Sequence, residues 1–243
     1  MIKSKNYKCV GIDVCKGKWV AVALMEKSFE VNKFNSIEEI CDKYENADSI
    51  IIDIPIGLPE NIDHIRPEVE ARKYLKGKAS SIFNVPCRQA VYSENYTKAI
   101  EENKANFKVS LSPLSYAICK KIREVDEFLN KVPKWKNKLL EGHPEICFSK
   151  LNNGQAVLEN KTKPEGQQRR LEILKRYYNE SDLVIDKYLK DVPTRKKIDD
   201  VIDALVLAVS GVIGLENKFE TMPKEPMKDR RGIKMQMTYG KIF

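Results

Sequence analysis

Histidine, glycine and long apolar runs are all scarce in this 243-residue chain, and each shortage removes a class of function. His64 and His143 are the only histidines, and the six cysteines (Cys9, Cys15, Cys41, Cys87, Cys119 and Cys147) form no C-x-x-C pair. Neither a structural zinc site nor a disulfide framework is therefore expected. Thiols spread in this way through apolar segments fit a reduced, cytoplasmic protein. The 11 glycines make no G-x-x-x-x-G-K-S/T segment and no paired-glycine loop, which argues against a nucleotide-phosphate cradle. No apolar stretch approaches the roughly 18 residues of a membrane span, and no charged head leads into a long apolar run with a cleavage site. The chain is expected to be soluble and unexported, with no membrane partner. There is no internal repeat or low-complexity tract, and nothing in the sequence speaks to oligomeric state.

What the chain does carry is charge: 43 Lys and Arg against 35 Asp and Glu give a formal net charge of +8, beside 42% hydrophobic residues. That is ample for a core, and the length suits one large domain or a domain with an insertion. The basic balance suits a polyanion such as DNA or RNA, although ordinary Lys-rich proteins share it.

The order of elements reads as α/β. YKCVGIDVC, WVAVALME and FEVNKF alternate as three strands, with Lys16-Gly17-Lys18 as the first turn and Lys27-Ser28 as the second; such short spacing implies an antiparallel meander. Ser36 with Glu39 three residues on makes a capping box, and Ile37, Ile40, Cys41 and Tyr44 recur at helical spacing behind it. Ser49 to Asp53 is almost uniformly β-branched, the pattern of a strand covered on both faces and parallel to its neighbours. The stretch from about 59 to 135 reads as a helical insertion or lid, with helices at 67–75, 92–104 and 115–130. Residues 138–141 suggest a fifth strand, followed by helices at 146–151, 166–178, 181–189 and 197–215. The tail from Pro223 reads as loop with at most one edge strand.

Four aspartates stand against apolar surroundings: Asp13 in CVGIDVC, Asp53 in SIIIDIPIG, and Asp200 with Asp203 in KIDDVIDALVLAVSGVIG. Burying a charge without a partner is costly, so each needs a compensating group, and Mg²⁺ or Mn²⁺ would supply one. Asp53 ends a strand, the edge where ligand sites of open α/β sheets gather. The last helix is apolar all round and therefore buried. On it, Asp199 fits a first-turn acid facing the helix dipole, whereas Asp203 lies too deep for that account. Asp13 and Asp53 taken singly could be turn residues. As a set, two strand acids and a helical pair can hold two ions about 3.5–4 Å apart, the arrangement that activates water and stabilises the leaving oxygen of a phosphodiester.

His143-Pro144-Glu145 forms a second polar island, in which His143 could be a general base or a turn residue and Glu145 a further ligand or a helix N-terminal acid. Basic residues surround these acids in sequence. Lys161, Lys163, Arg169 and Arg170 cluster after Glu145, while Arg66, Arg72 and Arg88 flank apolar or Pro-containing loops; all are of the type that meets phosphate backbones.

GIDV, IIDIPIGLPE with the following RPEVEARKYL, SSIFNVPCR, EGHPEICF, KTKPEGQQRRLEIL and DDVIDALVLA, in that order, resemble the predicted RNase H-like nucleases of domain-of-unknown-function family 429. The resemblance covers nearly the whole chain. It implies an RNase H-like mixed sheet flanked by helices, a metal-dependent nuclease activity, and Asp13, Asp53, Glu145 and either Asp200 or Asp203 as the site. Two other readings compete. A non-catalytic nucleic-acid-binding or regulatory module would retain the fold without metal dependence. A sugar-kinase or actin-like phosphotransferase shares the GID-type first strand, but requires a second such domain and glycine-rich loops.

Overall fold

The computed structural model describes residues 7–191 and 197–242. β1 (Lys8–Cys15) turns into β2 (Lys18–Met25) through Lys16 and Gly17, both at positive φ (52° and 76°), as a two-residue type I′ hairpin requires. β3 (Ser28–Phe34) pairs antiparallel with β2 and completes the meander. Its turn is Glu26-Lys27, one residue earlier than expected, because Met25 and Ser28 are paired.

Ser36 caps α1 (Ile37–Lys43), its Oγ accepting from the Glu39 N–H at 3.2 Å. The return contact reaches one residue further back than in a capping box: Glu39 accepts from Asn35 N–H at 2.9 Å. β4 (Ser49–Ile52), buried at every position, then enters the sheet parallel to β1.

Between β4 and the next strand lie α2 (Glu68–Tyr74), α3 (Arg88–Val91), α4 (Tyr96–Phe107), α5 (Pro113–Ala117) and α6 (Cys119–Lys131). The helix expected over 92–104 is broken because Asn95 caps a new start, its side chain accepting from Lys98 N–H at 2.9 Å. The helix expected over 115–130 likewise becomes two, the first started by Ser112 and Pro113.

β5 (Leu139–Glu141) pairs parallel with β4 and gives the sheet order β3-β2-β1-β4-β5. α7 (Pro144–Leu151) and α8 (Pro164–Lys175) both begin on a proline, earlier than expected, since proline has no N–H to lose in a first turn. α9 (Ser181–Asp191), α10 (Ile198–Glu216), β6 (Phe219–Met222) and β7 (Met237–Gly240) follow. β7 is the tail's one strand among the described residues, and it pairs with β6, a strand the sequence reading did not anticipate.

Strand alternation divides the core between the two faces of the sheet. Cys9, Val22 and Ile51 pack with α7–α10, whereas Val10, Ile12, Ile50 and Ile52 pack with α1 and α6. The last helix of the segment between β4 and β5 is thus a structural layer of the core. A smaller cluster (Cys87, Ala90, Ala99, Leu111) supports the rest of that segment. All six cysteines are buried free thiols, and no helix among the described residues is long and apolar enough to cross a membrane.

Candidate active site

Asp13 and Asp53 are neighbours because Ile12 and Ile52 are paired across two parallel strands, and each acid is the next residue along. The Asp53 N–H donates to the Ile12 carbonyl at 2.9 Å, which fixes the two carboxyl ends side by side. Alternation turns both acids toward the α10 face, two residues on from Gly11 and Ile51. Gly11 explains how α10 comes so near: a Cβ there would collide with the Ala204 carbonyl and the Ala208 nitrogen. Lacking one, β1 receives the helix backbone directly, and Asp203, adjacent to Ala204, arrives beside the strand ends.

Lys161, from the loop between α7 and α8, reaches into this group of acids. Its Nζ lies 2.5 Å from Asp203 Oδ2, a carboxylate only 1% exposed. From the next helix, Arg170 Nη2 binds Glu145 Oε1 at 2.6 Å and its guanidinium stacks over Phe148. Glu145 Oε2 and Asp200 Oδ2 are buried with no hydrogen-bond partner among the described residues.

Asp13, Asp53 and Asp200 hold their protons unusually strongly. Burial pushes Asp13 well above the carboxylate range, and the nearby Asp53 and Asp203 push it further, against the pull of Lys161. Asp53 is raised to about 7, chiefly by burial; Lys161 opposes the shift, and Asp203, Glu145 and Asp200 add to it. Asp200 rises to about 6 through burial and its neighbour Asp199, despite Lys197 at 3.8 Å. Burial alone would lower Lys161, but Asp203, Asp13 and Asp53 outweigh that and hold it firmly protonated. His143 is lowered by burial and is therefore neutral at pH 7.

The profile of the family described as "Protein of unknown function (DUF429)" matches residues 11–228. The chain belongs to the DUF429 family. No curated protein and no solved structure matches it.

In this DUF429 chain the fold brings Asp13, Asp53 and Asp203 together, with Asp200 and Glu145 within electrostatic reach. His143 stands at the start of α7 among the same charges, and its Nδ1 is buried without a partner among the described residues. The basic residues are placed very differently from one another. Arg66 is turned inward: its guanidinium holds Glu141 at 2.8 Å, Glu68 at 3.0 Å and the Ile56 carbonyl at 2.9 Å. Arg88 binds Glu60, Asp126 and Asp229, each at 2.7 Å. Arg72 holds the Ile82 carbonyl at 2.9 Å and touches Asn84. Lys163 is exposed, and Arg169 is half-buried with only long contacts to Asn152 (3.4 Å) and Glu172 (3.7 Å).

Sequence reasoning missed two features. Lys161 was read as a phosphate contact, and its ion pair with Asp203 was not foreseen. Glu141 ends β5 much as Asp53 ends β4, a signal that was available, yet it pairs with Ile52 and so takes the Ile52 side of the sheet rather than the Asp53 side.

Carboxylate oxygens are the donors that Mg²⁺ and Mn²⁺ favour, and the buried oxygens of Glu145 and Asp200 that accept no hydrogen bond among the described residues fit such an ion. No three His, Cys, Asp or Glu side chains among the described residues form a ready cage. Mg²⁺ does not need one, since it is commonly held by one or two carboxylates, water and substrate phosphates.

Proposed function

We propose that this protein is a divalent-cation-dependent nuclease that hydrolyses phosphodiester bonds of DNA or RNA on an RNase H-like scaffold. The observation that carries the reading is the gathering of Asp13, Asp53 and Asp203 around the Lys161 ammonium, beside one another at the ends of parallel strands. The three-strand meander flanked by parallel strands supports the RNase H-like part.

Asp13, Asp53 and Asp203 would hold the cation, with Asp200 or Glu145 completing the set. When bound, Mg²⁺ or Mn²⁺ supplies an activated water and neutralises charge on the phosphate oxygens. The chain's own groups do the rest. Water adds to phosphorus, the bond to the leaving oxygen breaks, and the proton lost by the water is taken up by a nearby base. His143, neutral and with its buried Nδ1 lacking a partner among the described residues, is the group placed for that role. Lys161, released from Asp203, supplies positive charge to a non-bridging oxygen. The exposed Lys163 and the half-buried Arg169 extend the contact to the flanking backbone.

Incubating the protein with single-stranded, duplex, hybrid and branched DNA and RNA in Mg²⁺, Mn²⁺ or EDTA tests this. Cleavage that needs the metal and disappears in Asp53→Asn supports it; cleavage that survives EDTA, or none on any substrate, rejects it.

A second reading, a nucleic-acid-binding module without catalysis, is favoured by one observation: Lys161 already supplies a cation to the acids. It expects binding that is indifferent to EDTA and to Asp53→Asn.

A further inference from the structure

Beside the acids lies a cavity of about 140 Å³ whose lining is mostly apolar. Ile54, Phe83, Val85 and Ile118 form much of its wall, and Asp13 and Asp53 are also among its lining residues. An apolar cavity of roughly 150 Å³ accommodates a benzene ring, so this one takes a single ring and excludes a folded chain or a drug-sized ligand.

Its polar groups are carboxyls and one imidazole. Glu68 and Glu141 line it as acceptors, each already bound to Arg66. His143 also lines it, with Nδ1 buried and lacking a partner among the described residues. A ring entering here meets acceptors and an unfilled nitrogen rather than a basic group. It therefore has to be uncharged or cationic, flat, and equipped with N–H donors.

We propose that this cavity is a binding pocket for one unstacked pyrimidine base with an N–H donor edge, cytosine being one ring of that size, and that it seats the nucleotide beside the acidic cup. The inference rests on the nuclease reading only in choosing a nucleobase as the ring. Drawing a base out of a stack requires a compensating surface, and stacking against aromatic and apolar side chains supplies it. Phe83 offers the aromatic face, and His143 offers the hydrogen bond that tells one ring edge from another. The substrate would then be single-stranded, or opened locally, at the residue being cut.

The test is cytidine titrated at millimolar concentration into the full chain without metal, followed by the methyl resonances of Met237, which lines the cavity, and of Met25, which ends β2. The expected result is a saturable shift of Met237 and none of Met25. Val85→Phe and Ile118→Phe, each checked for folding by its melt, should weaken cytidine by about tenfold or more by filling the space. A Met237 methyl unmoved by cytidine overturns the pocket, as does an equal shift with ribose 5-phosphate, which has no base. These outcomes are independent of the cleavage assay: metal-dependent cleavage with Met237 unmoved removes the pocket and leaves the nuclease, whereas a shift without cleavage does the reverse.

Discussion

Lys161 Nζ lies 2.5 Å from Asp203 Oδ2, and the two differ sharply in exposure: the lysine side chain is 38% exposed and the aspartate 1%. The lysine can leave toward solvent, and the acid has nowhere to go. In Lys161→Met the buried acids would lose their counter-ion, at a cost of about 1–3 kcal/mol for the abandoned carboxylate. Adding Mg²⁺ should then raise the melting temperature of the variant more than that of the wild type, because a divalent ion no longer competes with the ammonium. Equal Mg²⁺ responses in a thermal melt would count against competition for one position.

Protonation of Asp53 should be visible in stability. Its carboxyl is raised from 3.8 to about 7 in the folded state, so the native protein binds the proton more tightly than the unfolded chain does. The stability this contributes is fully present below about pH 4 and is lost as pH rises through about 7. Relative to Asp53→Asn, wild type should therefore lose melting temperature between about pH 5 and about pH 8. Parallel melting curves for the two proteins over that range would contradict the shift.

Arg66 and Lys163 should separate cleanly on mutation. Arg66→Met leaves Glu141 and Glu68 buried and unpaired, which should destabilise the fold by about 3–5 kcal/mol in denaturant unfolding. Lys163→Ala, at an exposed position, should change stability by no more than about 0.5 kcal/mol while reducing the salt dependence of nucleic-acid binding. A fully stable Arg66→Met would show that the inward pair is dispensable.

Gly11→Ala tests the approach of α10 to β1. The added methyl meets helix backbone, which cannot swing aside as a side chain would, so a loss at or above the usual 1–3 kcal/mol of overpacking is expected, roughly. Metal-dependent stabilisation should weaken with it, since Asp203 travels with the helix. Unchanged stability would mean the helix can shift without cost.

The acids were legible in the sequence as a set: Asp203 lies too deep in its helix for a dipole or cap account, whereas Asp13 and Asp53 could each have been turn residues and gained meaning only in combination. The fold gathers the three. Lys161 was not legible as their partner, since a lysine in a lysine-rich loop looks the same whether it faces water or a buried acid. Arg66 misled for a related reason: a Pro-containing loop suggests a surface, but this loop is drawn inward by Glu141, a residue far along the chain. The broken helices at Asn95 and Ile118 show the limit of periodicity, because a cap inside an amphipathic stretch ends a helix without changing the apolar spacing.

The strand bearing Asp13 is synthesised long before the helix that lies along it. A nascent chain therefore carries Asp13 without its helical partner acid until α10 has emerged. Contacts this distant in sequence slow folding, so maturation of the site must await synthesis of α10. N-terminal fragments ending before α10 would lack both the covering helix and the third acid, and they would offer divalent ions no more than an exposed strand edge.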